Sequence, residues 1–423
     1  MNKPPSTQAA AIEDQVESSS DTWVRRTRWP GHLRGFSRPW LISRLQMPEV
    51  DNDEVDTDEK QLAYVLLAIE RVIWHAQYAC RPEVVGAAVL YVVEQRETGA
   101  GSNEKPFYAE QQGKTIRRYT DSVKAIIAYI WRTHRLDPYW YDEEEMGNDQ
   151  EETEIDDRRP AYTITTAQAS AFDIVRMRTE QMIASIRPDS REGSHEGSDE
   201  GNSDNSSEGS GNNNRPSIEK QVKWLESSVL EWYIALLDHP ITDNEFSNAI
   251  YSALAVMGCR SDNGWTGPSE FTPKLSAIVT TAKMMVVYKA KLDRDREIEE
   301  FQEDGMPKQE ANETAMSHFE RVRDMVVRFM TLIDASARGP TPMDSILRLR
   351  TYGRRIHDTT NAPGVVDWYG DTLLYGQQQF TMNKLRTMIH GLLHEAREQL
   401  WREVLLLGSE DELPVIRVRV RVS

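Results

Sequence analysis

Apolar residues recur at helical spacing through most of the chain. Leu62, Val65, Leu66, Ile69, Val72 and Ile73 fall on one face, with acidic residues crowded just before them. That period predicts an amphipathic helix whose positive end is favoured by the nearby carboxylates. Pro82 suits the first turn of a second helix that runs to Val93. Val123, Ile126, Ile127, Ile130 and Trp131 predict a third, capped by Thr120 or Asp121. Residues 163–186 read as a helix that stops before Pro188.

Farther along, residues 222–237 are amphipathic and stop at Pro240, and Asp243 could cap a helix that runs to Met257 and ends at Gly258. Thr272-Pro273 is read as the start of a long helix, and residues 319–332 and 343–352 as two more. Residues 364–375 break the pattern. Val365, Val366, Trp368, Leu373 and Leu374 flank Tyr369-Gly370-Asp371, which predicts a small β-hairpin. Residues 381–407 carry the clearest stripe of all, formed by Leu385, Met388, Ile389, Leu392, Leu393, Ala396, Leu400 and Val404. Arg and Val alternate over 417–423, a strand period that equally fits sequence with no selected structure.

Polar tracts set the expected boundaries. Residues 189–214 contain no apolar side chain and cannot bury anything, so they predict a flexible acidic linker. The expected organisation is mostly α: a disordered arm over 1–56, a helical domain over 57–187, a linker over 188–215, a second helical domain over 216–408 with the hairpin inside it, and a tail over 409–423.

Composition refines this picture in three ways. The net charge of −18 is carried by runs: residues 49–59 hold seven acids and no base, residues 142–157 hold ten acids and no base, and the linker adds more. These runs outweigh the net charge, so the remainder is slightly basic and a nucleic-acid partner stays open. Two cysteines, Cys80 and Cys259, exclude a disulfide framework and point to an intracellular setting. The polar, Pro/Ser-rich first twenty residues have no apolar core of a secretory signal, and the apolar run 277–288 is broken by Lys283 and too short to cross a bilayer.

Two basic segments are candidates for chemistry. Arg25, Arg26, Arg28, Arg34, Arg38 and Arg44 interleave with Trp23, Trp29, Phe36 and Trp40. Such a mixture could neutralise phosphate and stack on bases, could act as a nuclear import signal, or could simply dock on the chain's own domain. The second segment is Arg348, Arg350, Arg354, Arg355 and His357, anchored by Ile346, Leu349 and Ile356. It reads as a solvated helix face or as a helix that contacts phosphate.

No complete catalytic motif is present, and no cofactor is expected. Gly113-Lys114-Thr115 mimics the end of a phosphate loop, but Tyr108 stands where the leading glycine belongs. His390 and His394 lie one helical turn apart and are weak metal candidates, because Arg386 and Arg397 flank them and the following Glu395 is in the wrong order for a zinc-protease helix. Both cysteines sit in apolar contexts, where thiols are inert.

One stretch carries a resemblance. Leu236-Leu237-Asp238, Asn244-Glu245-Phe246, Ala253-Leu254-Ala255-Val256-Met257-Gly258, Gly264-Trp265, Phe271-Thr272-Pro273, Leu349-Arg350-Thr351-Tyr352-Gly353, Leu373-Leu374-Tyr375 and His390-Gly391-Leu392-Leu393 occur in that order. Residues 220–408 thereby resemble the region that precedes a recombinase-like segment and a RecQ-type helicase in large fungal proteins of subtelomeric and mobile-element origin. The chain has neither the phosphate loop nor the Asp-Glu box of the helicase, so none of that enzyme's residues carries over. The resemblance implies a helical accessory module, or a truncated copy, with a DNA-related role and nuclear residence. Against it stand a scaffold that binds protein alone and a degenerate product with no selected activity.

Overall fold

A computed structural model describes residues 12, 22–49, 56–96, 105–139, 158–186, 217–242, 244–332, 340–359, 366–369, 372–375 and 378–404. The chain is mostly α-helical and falls into two compact units, Met1–Ile356 and His357–Ser423. The expected linker and tail lie outside the described residues.

The first unit opens with three short helices, α1 (Thr22–Thr27), α2 (Trp29–His32) and α3 (Arg38–Arg44). This corrects the expected disordered arm. Trp23, Trp29, Leu33, Phe36 and Leu41 are all but fully buried in the main core. The aromatics that suggested base stacking instead contribute apolar area to the fold.

The long helix α4 (Thr57–Ala79) follows, with all six residues of its expected apolar face buried. Asp56 caps it, and Glu59 pairs with Arg132, 2.6 Å apart, so the end of the first acidic run belongs to the fold. Two short helices come next, α5 (Pro82–Val85) and α6 (Ala87–Val93), divided at Gly86, whose φ of 88° interrupts the helix that the sequence suggested as continuous. Helix α7 (Gly113–Thr133) begins earlier than expected, with Gln112 in place of the expected cap. Gly113-Lys114-Thr115 is its first turn, and residues 106–112 form no strand. The phosphate-loop mimic is thus ordinary helix.

A short parallel pair, β1 (Asp137–Tyr139) with β2 (Arg158–Pro160), leads into α8 (Thr166–Ile186). Buried Arg159 holds this corner: its guanidinium donates to the Leu136 and Tyr162 carbonyls at 2.9 and 2.6 Å and lies 3.8 Å from the Tyr162 ring centre.

Helix α9 (Ile218–Leu237) starts beyond the linker and packs along α8; α4 packs against both. The two expected helical domains therefore share one core up to Ile356. The linker composition marks where chain cannot be buried. It carries no information on whether the flanking helices pair.

A 3-10 turn (Glu245–Ser247) precedes α10 (Ala249–Met257). Asn248, rather than Asp243, caps α10, accepting from the Ile250 and Tyr251 amides at 2.8 and 3.2 Å. Gly258 follows at φ −80°, so no left-handed turn demands it. A Cβ there would lie 2.4 Å from the Trp29 ring, and that close approach demands it.

Helix α11 (Pro268–Glu303) begins a turn before the expected start and carries Pro273 within it. Its buried face, from Phe271 to Ala290, packs on α4 and α7. Then come α12 (Lys308–Thr314) and α13 (His318–Met325), the latter opened by a capping box between Ser317 and Glu320 and continued by a π-helical turn (Val326–Met330). Helix α14 (Pro342–Thr359) closes the unit.

The second unit holds the expected hairpin, β3 (Val366–Tyr369) antiparallel to β4 (Thr372–Tyr375), and a third antiparallel strand, β5 (Gln378–Thr381), that the sequence did not signal. Thr381 caps α15 (Met382–Gln399), whose stripe residues Met388, Ile389, Leu392 and Leu393 are exposed. No described helix is long and apolar enough to cross a membrane.

Candidate polyanion surface

Helix α14 starts from a cap that uses both sides of one hydroxyl. Thr341 Oγ1 accepts from the Asp344 amide at 3.3 Å and donates to the Phe329 carbonyl at 3.1 Å. Pro342 fills the first turn, where a missing N–H costs nothing. Met343, Ile346, Leu347 and Leu349 are buried, which turns the basic residues outward on two flanks.

The first flank centres on Tyr352, with Arg348 and Arg355 one turn before and after it, both exposed. The Tyr352 ring lies parallel to Trp23, 6.4 Å between centroids, and its hydroxyl donates to the Thr22 carbonyl at 3.4 Å. The Arg26 guanidinium sits 5.9 Å from the Tyr352 ring centre. The contact is possible because residue 353 is glycine: a Cβ there would stand 2.6 Å from Thr272 Oγ1 and 3.1 Å from the Trp23 ring. The fold thus brings exposed Arg26 to Tyr352, the residue that Arg348 and Arg355 flank, joining two segments that the sequence presented as separate. Arg348 also bonds buried Asp344 at 2.9 Å, which holds its guanidinium above its ordinary pKa.

The second flank carries Arg350 and Arg354, one turn apart. Arg350 lies within electrostatic reach of Arg354, Arg96 and Glu94, and Lys283 of α11 feels Arg350, Arg96 and Glu94. Lys283 is 6% exposed and bonds Glu94 at 2.7 Å. Burial first, then Arg354 and Arg96, pull Arg350 down to about 10. Its Nε is buried and has no hydrogen-bond partner among the described residues. Among the described residues, Arg350 and Lys283 thereby share Glu94 and the nearby charge of Arg96, and Arg354 adds a further positive charge against Arg350. Like charges at this spacing repel. A phosphate placed there would relieve the repulsion and accept from the guanidinium donors.

Arg96, Lys283 and Glu94 were not picked out from the sequence as site residues. One signal was present: Lys283 interrupts an apolar run, and an ammonium on a buried face needs a partner. Nothing in the sequence named Glu94 as that partner. Arg28 is exposed and lines a separate cavity. The side chain of His357 lies outside the described residues. His390 and His394 are exposed on α15, and no group of three or more metal-binding side chains occurs among the described residues.

The thiols offer no nucleophile. Burial pushes Cys259 up to about 12 and Cys80 higher still, so neither ionises near neutrality. No family model, curated protein or solved structure matches the chain.

Proposed function

We propose that this chain binds nucleic acid through α14 and the arginines that α1 sets beside it, as a DNA-associated module that performs no chemistry itself. The observation that carries the reading is the excess, among the described residues, of Arg96, Lys283, Arg350 and Arg354 over Glu94, with the buried Arg350 Nε lacking a partner among those residues. Arg25, Arg26, Arg348 and Arg355 extend the basic surface past Tyr352. Its donors suit phosphate, which positions a nucleic acid without reading its sequence. The setting rests on the resemblance alone: an accessory role, in the nucleus, beside a helicase derived from a mobile element.

The test is fluorescence anisotropy of the full chain with duplex and single-stranded DNA across a salt series. The full chain is required because α4, α8, α9 and α11 share one core. Affinity should fall linearly on a log–log plot against salt. Arg354→Glu/Arg355→Glu should weaken binding and reduce the slope by about 2. Absence of binding at low salt ends the proposal.

A second reading, a protein-interaction scaffold, is favoured by α4. Leu67, Trp74 and Tyr78 form an exposed row there, with the Arg81 guanidinium 4.5 Å from the Tyr78 ring centre. Its mark would be a protein complex that survives Arg354→Glu/Arg355→Glu and is lost in Trp74→Ala/Tyr78→Ala.

A further inference from the structure

A cavity of about 320 Å³ opens where α2, β1 and the 3-10 turn before α10 meet. Arg28, His32, Arg34, Tyr139, Glu245 and Phe246 line it. Its volume is at the lower end of small-molecule sites. Among the described residues that line it, two guanidiniums stand against one carboxylate, and the half-buried Tyr139 ring supplies apolar wall beside the 9% exposed Phe246.

The backbone at the cavity is unusual where α1 turns into α2. Arg28 stands at φ 53° and ψ 20°, the left-handed region that a β-carbon disfavours, and its side chain caps nothing locally. Next to it, a buried hydrogen-bond relay ends at the cavity wall. Tyr129 Oη lies 2.9 Å from Ser252 Oγ, which lies 2.8 Å from His32 Nε2. Tyr129 and Ser252 are completely buried. Ser252 Oγ is the bonding partner of the Tyr129 hydroxyl, so that proton is satisfied when Tyr129 donates to Ser252 and Ser252 donates to His32. His32 then carries its proton on Nδ1 and is neutral. It lies flat on Phe246, 4.1 Å between centroids and 8° from parallel. The relay therefore supplies a rigid imidazole with one N–H left to donate, in a cavity that also holds Arg28 and Arg34.

We propose that this cavity binds a small anion that carries an aromatic ring. The ring packs against Tyr139, and the carboxylate or phosphate meets Arg28, with Arg34 and the His32 N–H completing the recognition. A guanidinium suits both anions because its fork matches their paired oxygens. Glu245 helps to orient a polar substituent and favours singly charged anions, so the carboxylates 4-hydroxybenzoate and indole-3-acetate should bind tighter than adenosine 5′-monophosphate. The proposal is independent of nucleic-acid binding at α14.

The test is isothermal titration of the full chain with 4-hydroxybenzoate, indole-3-acetate and adenosine 5′-monophosphate as probes. Adenosine and inorganic phosphate serve as half-ligands. At least one aromatic anion should bind saturably at one site, at least tenfold tighter than either half-ligand. Arg28→Gly should weaken it about tenfold or more, without lowering the thermal midpoint, because glycine adopts φ 53° freely. Glu245→Gln should bind as tightly or tighter. Arg354→Glu/Arg355→Glu should leave binding unchanged, which separates failure here from failure of the α14 reading. If no probe binds, or if Arg28→Gly binds like wild type, the proposal is overturned.

Discussion

The rings of Trp23 and Tyr352 lie 10° from parallel with their centroids 6.4 Å apart, although one belongs to the first helix and the other to the last helix of the unit. Trp23 also donates from Nε1 to the Thr266 carbonyl at 3.0 Å and meets Trp29 edge-on. One indole thus fastens the N-terminal segment to α14 and to the start of α11.

Trp23→Ala should therefore destabilise the fold by about 3–5 kcal/mol, the range for removing a buried aromatic. Urea unfolding followed by circular dichroism measures this. Trp23→Phe, which loses the hydrogen bond but keeps most of the ring, should cost less. If Trp23→Ala unfolds like wild type, the N-terminal segment is not part of the core.

Gly258 and Gly353 should each resist the smallest possible substitution. Gly258→Ala drives a methyl into the Trp29 ring, and Gly353→Ala drives one into Thr272 Oγ1 and the Trp23 ring. A loss of about 1–3 kcal/mol is expected for each. Thermal midpoints of the two variants check it, with Gly113→Ala, where nothing stands within 4 Å, as the tolerated control.

The Lys283–Glu94 pair should respond unequally to loss of its two partners. Glu94→Gln strands a buried ammonium beside Arg350 and Arg96 and should cost about 3 kcal/mol. Lys283→Met leaves Glu94 half-exposed beside two arginines and should be near neutral or stabilising. Equal losses in the two variants would contradict the cluster as described.

Stability should fall on the acid side. Burial pulls His32 down to about 3 and His134, helped by Arg159, to about 4, against an unfolded value of 6.5. The unfolded chain binds the extra protons in this window, so stability is full above pH 6.5 and falls as pH drops toward 4 and then 3. Half-buried His32 contributes a slope of up to about 1.4 kcal/mol per pH unit. Urea midpoints from pH 7 to pH 4 measure the slope, and His32→Gln should flatten it.

Much of the helical architecture could be read from the sequence, because an apolar stripe of period 3.6 records which face is covered. The faces of α4 and α7 follow their stripes residue by residue, whereas the α15 stripe is exposed at Met388, Ile389, Leu392 and Leu393. Boundaries were less legible where tertiary contact decides them. Pro273 suggested a helix start, but α11 begins at Pro268 and runs through it. Asn248 takes the capping role that Asp243 also suited by type. Disorder is the natural expectation for the N-terminal segment because its arginines dominate its composition, while Trp23, Trp29 and Phe36 lack a period that would declare them buried. Of its three readings, docking on the chain's own domain is the one the fold bears out. The partition at the linker failed for a related reason: a stretch that cannot be buried does not say whether α8 and α9 on either side of it pair. Of the candidate surface, the arginines of α14 were visible as a cluster. Their neighbours Arg96, Glu94 and Lys283 come from elsewhere in the chain, and no spacing rule links them.

The burial of Trp23 and Trp29 against Phe271, Trp265 and Tyr352 has a consequence for how the protein is made. The two indoles are synthesised long before these partners, with Trp265 and Phe271 following later and Tyr352 only in α14. Until α11 and then α14 have emerged, the nascent chain displays an aromatic, arginine-rich segment whose packing is incomplete.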